Sequence, residues 1–295
     1  MSIDGWDEIR TAYHVARLGT VSGAAEVLGV HHATVIRHID ALEQRLGTRL
    51  FQRHARGYTP TEAGQDLLQV AQVTDDQLTQ LAGRLRGRGE AVTGDLVVTA
   101  LSGLSPLVTP ALVDFQRAHP GLVVRFLTGE RLFRLEYGEA HVAIRAGAAP
   151  DQPDNVVQPF VTINHGLYAS RDYIARHGQP ATEADLPGHA LIGDDGGTSA
   201  APFLRWLREH VPARAVTWRI SHPDTLADAV CAGAGLGFLP VFMARQRADL
   251  VQVLPPRQEW ASPLWLVTHV DLHRTTKVQA FLAHLKNAAK GWGDI

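Results

Sequence analysis

The chain has 295 residues, of which 45% are hydrophobic and 20% charged, and its formal net charge is −2. That length exceeds one typical domain and suits a small domain beside a larger one of roughly 200 residues, and the balance of apolar and charged residues excludes extensive disorder. No apolar run reaches the ~18 residues of a membrane span, and residues 1–10 carry Asp4, Asp7 and Glu8 where a secretory leader would be basic and then apolar, so the expected location is the cytoplasm.

In residues 6–18, Trp6, Ile9, Tyr13, Val15, Ala16 and Leu18 recur at helical spacing, and Gly19 stops the helix. A second, short helix is expected behind Ser22 as N-cap; its small residues Ala24 and Ala25 allow close packing, and Gly29 provides the turn. Residues 33–46 place Val35, Ile36, Ile39, Leu42 and Leu46 on a buried side and leave His32, Thr34, Arg37, His38 and Arg45 more exposed. Helix, glycine turn, helix is the helix-turn-helix arrangement. Residues 48–60 read as a tight, exposed wing. Across the third helix and wing Arg37, Arg45, Arg49, Arg53 and Arg56 outnumber Asp40 and Glu43, so this patch is basic although the chain is not.

From Thr61 to about Arg86 a helix is expected in which Leu67, Ala71, Thr74, Leu78, Leu81 and Leu85 alternate steps of four and three. Such a narrow stripe between two domains calls for a partner helix, best supplied by a second subunit. Residues 83–89, rich in Gly and Arg, then read as a hinge. Beyond it strands and helices alternate. Strands are expected at 94–100, 123–127, 141–145, 162–169, 215–220, 236–240 and 264–270. Helices are expected at 106–115 behind Ser105 as N-cap, and at 171–177, 201–210, 224–232 and 276–289. The alternation predicts parallel-type α/β sheets.

Four segments together resemble the DNA-binding domain of LysR-type transcriptional regulators: Ala24-Ala25-Glu26-Val27-Leu28, residues 35–43, residues 46–53, and Thr61-Glu62-Ala63-Gly64. Residues 115–120, 138–145 and 232–240, with a final helix, follow the order of that family's effector-binding domain. The resemblance covers essentially the whole chain. It implies an N-terminal all-α winged helix-turn-helix (residues 1–61), a long linker and dimerisation helix with hinge (62–92), and a two-lobed α/β effector domain like the periplasmic solute-binding proteins (93–295). Lobe one is expected at about 93–164 plus 268–295 and lobe two at about 165–267, with chain crossings near 162–167 and 266–270. Dimers through the long helix, tetramers on double-stranded DNA and contact with RNA polymerase are also implied.

By motif position the DNA-reading candidates are His32, Ala33, Thr34, Ile36, Arg37 and His38, with Arg53 and Arg56 in the wing directed at phosphate or the minor groove. Arg37 is the strongest, since a guanidinium can donate two hydrogen bonds to guanine O6 and N7. His31 and Ile36 depart from residues common in the family, so a helix cap and a polar contact are expected to be absent. The effector is expected at strand ends and helix N-termini between the lobes, where Ser102, Gly103, Ser105, Thr128, Arg145, Asp194 and His222 are the candidates. Arg145 suits a carboxylate such as an organic acid, whereas Asp194 suits an amine or hydroxyl.

No cofactor and no metal site are expected. His31, His32 and His38 fall close together, but adjacent helical histidines point different ways and no Cys or carboxylate completes the set. The single cysteine, Cys231, sits in an apolar helical pattern and reads as a buried thiol rather than a redox sensor. An enzyme is disfavoured because there is no phosphate loop, no Gly-x-Ser-x-Gly elbow and no His-Glu-x-x-His motif. Gly233-Ala234-Gly235-Leu236-Gly237 follows a helix and precedes a strand, the reverse of a dinucleotide loop.

Overall fold

Three helices open the chain where apolar spacing places them: α1 (Trp6–Leu18), α2 (Val21–Leu28) and α3 (His32–Leu46). The computed structural model describes residues 5–54, 57–85, 92–129, 133–196, 199–293 and 295. Ala12, Val15, Ala24, Val35, Ile39 and Leu42 form their shared core. The N-cap of α2 is Thr20, not the expected Ser22: its backbone is extended and its hydroxyl accepts from the Gly23 amide at 3.2 Å, while Ser22 lies exposed in the first turn. An extended backbone just before the first helical residue is what an N-cap requires, and Thr20 has it.

The wing is a hairpin of β1 (Phe51–His54) and β2 (Gly57–Pro60), and Phe51 and Leu50 anchor its base in the same core. Helix α4 (Glu62–Leu85) follows. The Thr61 hydroxyl accepts from the Gly64 amide at 3.2 Å and donates to the Arg49 carbonyl at 2.7 Å, fastening the helix start to the wing. Of the expected stripe, Leu67 packs half-buried on the helix-turn-helix core and Ala71 is buried, forming a groove with Trp6, Ile9 and Tyr13 of α1. The Thr74 hydroxyl turns back to the Val70 carbonyl at 2.9 Å, and Leu78 is exposed. The side chains of Leu81 and Leu85, and residues 86–89 of the expected hinge, lie outside the described residues.

The first α/β lobe is a five-stranded sheet in the order β4-β3-β5-β12-β6. It is built from β3 (Gly94–Ala100), α5 (Ser105–Ala118), β4 (Leu122–Thr128), β5 (Val142–Ala146) and β6 (Asn155–Ile163). Ser105 is not the expected N-cap but already helical, because a 3₁₀ turn (Ser102–Leu104) leads directly into α5. Residues 162–169 form two strands rather than one: β6 ends at Ile163, and β7 (His165–Ser170) belongs to the second lobe. Asn164 between them accepts from the Val241 amide at 2.9 Å and so marks the first crossing.

The second lobe contains α6 (Arg171–His177), β8 (Leu191–Asp194), α7 (Pro202–His210), β9 (Val216–Ile220), α8 (Pro223–Cys231), β10 (Gly237–Pro240), α9 (Val241–Ala244) and β11 (Leu250–Leu254). Strands β10, β7 and β11 are antiparallel, β8 and β9 run parallel, and a bridge between Leu191 and Leu236 joins the two groups. Trp206, Phe238 and Trp260 meet edge-on in its core. The chain then returns to lobe one as β12 (Ser262–His269), followed by α10 (Val270–His273) and α11 (Thr276–Ala289). Phe281 of α11 packs edge-on against Phe115 of α5, sealing one face of the first sheet.

Two expectations are corrected here. The sheets are mixed rather than parallel: β4 and β5 run parallel to β3, but β12 inserts antiparallel between β5 and β6. The return crossing lies between β11 and β12, at residues 255–261, rather than at 266–270. Leu264, Leu266 and Val267 are needed to fill both faces of the first sheet, so all of β12 lies in lobe one. Among the described residues no helix is long and apolar enough to cross a membrane.

Candidate nucleic-acid interface and ligand cleft

The turn between α2 and α3 is set by Gly29, whose φ of 65° is left-handed and costs a glycine little. Its amide and that of Val30 bond back to the last turn of α2, Val30 to the Ala25 carbonyl at 3.1 Å. His31 then caps α3. Its backbone is extended and its Nδ1 accepts from the Ala33 amide at 3.2 Å, so the cap expected to be missing is supplied by an imidazole.

Along α3, His32, Ala33 and Arg37 are exposed, and Arg37 makes no ion pair among the described residues. Thr34 is half-buried. Ile36 packs against the helix-turn-helix core, leaving part of its side chain outward. His38 is drawn inward: its Nδ1 lies 2.9 Å from the Thr11 hydroxyl. Since that hydroxyl donates to the Asp7 carbonyl at 2.7 Å, the histidine nitrogen is the donor between them.

Arg53 of the wing has close partners within the domain. Arg53 donates to Asp40 at 2.6 Å and to Glu43 at 2.9 Å, and lies over the Tyr58 ring at 5.4 Å. It binds the wing to α3 and keeps its charge: burial opposes the charge, but the bonds to Asp40 and Glu43 and the neighbouring Tyr58 raise its pKa. Glu43 is the buried hub. It accepts from the Leu50 amide at 2.8 Å, the Phe51 amide at 3.1 Å and Arg49 at 2.8 Å as well. Burial alone would raise its pKa, yet the bonds from Arg49, the two amides and Arg53 hold it below the usual carboxylate range. Arg56 lies outside the described residues.

In the larger domain, Ser102 and Gly103 form the 3₁₀ turn after β3, Ser105 begins α5, Thr128 ends β4 and Arg145 lies near the end of β5. These neighbouring strand ends bring the lobe-one candidates to one edge of the sheet. From lobe two, α8 reaches across: a Cβ at Gly103 would stand 4.0 Å from Asp224 Oδ1. His222 is exposed at the N-cap of α8 and makes no side-chain cap. Asp194 is occupied elsewhere, accepting from the Ser199 amide at 3.1 Å and pairing with Arg208 at 3.3 Å.

A cavity of about 280 Å³ opens at this edge, lined among others by Thr99, Leu101, Phe133, Ile144, Arg145 and Gln152. Of the expected effector residues only Arg145 lines it. The Nη2 of Arg145 donates to the Phe133 carbonyl at 3.0 Å. Burial lowers its pKa, and the charge of Glu136 partly offsets this. Phe133 and Gln152 were not legible beforehand because they lie in irregular connections with no periodicity. Thr99 and Ile144 lie on strands, but they read as ordinary sheet positions.

Among the described residues no three His, Cys, Asp or Glu side chains are placed to hold a metal ion. Cys231 is half-buried and accepts a hydrogen bond from Arg247 Nη1 at 3.0 Å.

A winged helix-turn-helix on a long helix, followed by a two-lobed α/β domain with a cleft, is the build of a DNA-binding transcription regulator that responds to a ligand. Residues 6–65 match the bacterial regulatory helix-turn-helix proteins of the lysR family, and residues 89–290 match the LysR substrate binding domain. The chain belongs to the LysR family of transcriptional regulators and is not an enzyme. It is 32% identical to the HTH-type transcriptional regulator DmlR of Escherichia coli, covering 95% of this chain and 93% of the relative. It is 28% identical to an HTH-type transcriptional repressor of Pseudomonas aeruginosa, covering 95% and 90%. In fold it is similar to the LysR-type regulator CrgA of Neisseria meningitidis (TM-score 0.58, 20% identity, 98% of this chain and 99% of that one). It is also similar to the full-length virulence activator AphB of Vibrio cholerae (TM-score 0.53, 22% identity, 97% and 98%).

Proposed function

We propose that the exposed N-terminal half of α3 reads base edges in the major groove, with Arg37 as the principal contact and His32, Ala33, Thr34 and Ile36 beside it. The carrying observation is that Arg37 projects from this surface without an ion pair among the described residues, whereas Arg53 is held by Asp40 and Glu43. A guanidinium already satisfied by two carboxylates has less to offer a phosphate; Arg53 acts by holding the wing beside the backbone. His38 supports α3 through Thr11.

In this reading the protein acts in the cytoplasm as a dimer joined along α4, where Trp6, Val70 and Leu78 are exposed beside the groove, and two dimers pair into a tetramer on the operator. A small-molecule effector, an organic acid, enters the cleft between the lobes. Ligand affinity that differs between lobe arrangements shifts how the subunits sit on DNA, and with it the contact to RNA polymerase. The direct test is footprinting on the DNA upstream of the protein's own gene. Arg37→Ala is expected to weaken protection at least tenfold, on the scale of about 1–3 kcal/mol for a bidentate base contact. Unchanged protection would refute this reading of α3.

A further inference from the structure

We propose that His31 is a positioning residue whose protonation loosens the first turn of α3, so that base selectivity is highest while its ring is neutral and declines in mild acid. This rests on reading α3 as the helix that meets base edges and adds a control on that surface. His31 is exposed and stands immediately before His32 and Ala33, the first of the proposed base-facing side chains. Its Nδ1 accepts from the Ala33 amide at 3.2 Å and its carbonyl accepts from the Thr34 amide at 2.8 Å, so side chain and backbone together hold the start of the helix. The two amides before it, of Gly29 and Val30, bond back to α2 and do not support α3.

A serine, threonine or asparagine cap accepts through an oxygen at any ordinary pH, whereas an imidazole accepts only through a bare ring nitrogen. With Nδ1 accepting, the single ring proton of the neutral form sits on Nε2. A second proton goes to Nδ1. That turns the acceptor into a donor facing the Ala33 N–H and sets a positive charge at the positive end of the helix dipole, so the cap bond breaks and the ring turns away. Histidine is the ordinary side chain that changes charge between about pH 5 and pH 8. The chain beside His31 carries Glu26 in the last turn of α2, and His32 and Arg37 on α3; among the described residues none of the three pairs with it.

Protonation acts on DNA binding in two opposed ways. An imidazolium beside the duplex attracts phosphate whatever the sequence, which raises affinity for every duplex. An uncapped first turn holds His32 and Ala33 less firmly against base edges, which lowers affinity for the operator alone. The ratio of the two affinities therefore isolates the cap, whose loss is worth roughly a factor of five.

The experiment is fluorescence anisotropy of the full-length protein, His31→Ser and His31→Ala on the duplex upstream of its own gene and on a scrambled duplex, at about pH 8 and about pH 5.5. It is paired with hydrogen exchange of the free proteins resolved to the Ala33 amide. Serine keeps a cap that does not titrate; alanine has none. At the higher pH, His31→Ser is expected to keep the wild-type preference for the upstream duplex, and His31→Ala to lose roughly fivefold of it. On acidification the wild-type preference is expected to fall at least about threefold further than that of His31→Ser, since titration of His32, His38 and His54 is common to both proteins. An equal fall in both, or a full preference in His31→Ala at the higher pH, overturns the proposal. The two readings fail separately. Protection of the Ala33 amide, corrected for the intrinsic exchange rate, is expected to fall in acid in the wild type but not in His31→Ser. That result without any preference for the upstream duplex would contradict the reading of α3 and keep the proton-sensitive cap. Preference for the upstream duplex with Ala33 protection unchanged in acid would keep the reading of α3 and overturn the cap.

Discussion

Glu43 shows how one residue can determine the shape of a reading surface. A single buried carboxylate receives two backbone amides from the start of the wing and two arginines, so α3 and the wing move as one body. Replacing it by alanine leaves those two amides without their acceptor and Arg53 with Asp40 alone. Glu43→Ala is expected to destabilise the N-terminal domain by about 2–4 kcal/mol, chiefly through the two amides left without an acceptor, measured by denaturant unfolding. Its depressed pKa makes its contribution fully present above the normal carboxylate range and lost only in acid below that range. A second residue sets a different window. Burial holds His165 at about 4 instead of 6.5, with only the Ile163 and Trp260 carbonyls opposing this, and its ring stacks 4.2 Å from that of Phe203. Between those values the unfolded chain binds a proton that the folded one refuses. Stability is therefore full above pH 6.5 and falls as the pH drops toward 4, by up to about 3 kcal/mol from this group. His14, His189 and His273 are lowered too and add in the same direction. His165→Phe, which keeps the stack, should flatten the midpoint-against-pH curve in that window; an unchanged slope would exclude His165 as the main source. At this scale the sequence exposed Arg37 but not the fate of Arg53. Its partners Asp40 and Glu43 are 13 and 10 positions away and meet it only once the wing folds back on α3. The His31 cap was missed for a different reason: an imidazole nitrogen can accept as a hydroxyl does, but composition rules favour the commoner residue.

Elements with a strong local signature were legible almost to the residue. The ends of α1, α6 and α11 fall where spacing and glycine stops place them, because helix periodicity is a property of a dozen adjacent side chains. Strands that meet distant partners were less so: β6 and β7 read as one apolar run although a turn-favouring Asn164 separates them, its carbonyl accepting from the Val241 amide at 2.9 Å. Strand β11, although followed by Pro255 and Pro256, was absent from the reading. The start of α4 offers a sharp test of element placement. A Cβ on Gly64 would stand 2.1 Å from the Leu50 carbonyl oxygen, which itself accepts from the Thr61 amide at 2.9 Å and so cannot retreat. Gly64→Ala, which would raise intrinsic helix propensity by about 1 kcal/mol, is instead expected to lower the unfolding midpoint. A rise would mean that α4 is not seated on the wing as described.

At the scale of the whole molecule, the division of labour depends on chain connectivity. Two crossings, at Asn164 and in residues 255–261, tie the lobes together, and the Ser102–Leu104 turn meets the start of α8 between them. The parallel sheet inferred from alternation was wrong because these returning strands enter antiparallel, a feature of topology that no local pattern encodes. The family and the order of parts were legible, since the helix-turn-helix segments are local; the cavity was not, apart from Arg145, because its walls come from irregular connections and strand ends that are far apart in sequence. The most direct test is fluorescence anisotropy of the full-length protein on the duplex upstream of its own gene and on a scrambled duplex, across a salt series. The account predicts at least 10³-fold tighter binding to the upstream duplex, with affinity falling steeply as salt rises. Equal, weak binding to both duplexes at every salt concentration would contradict it.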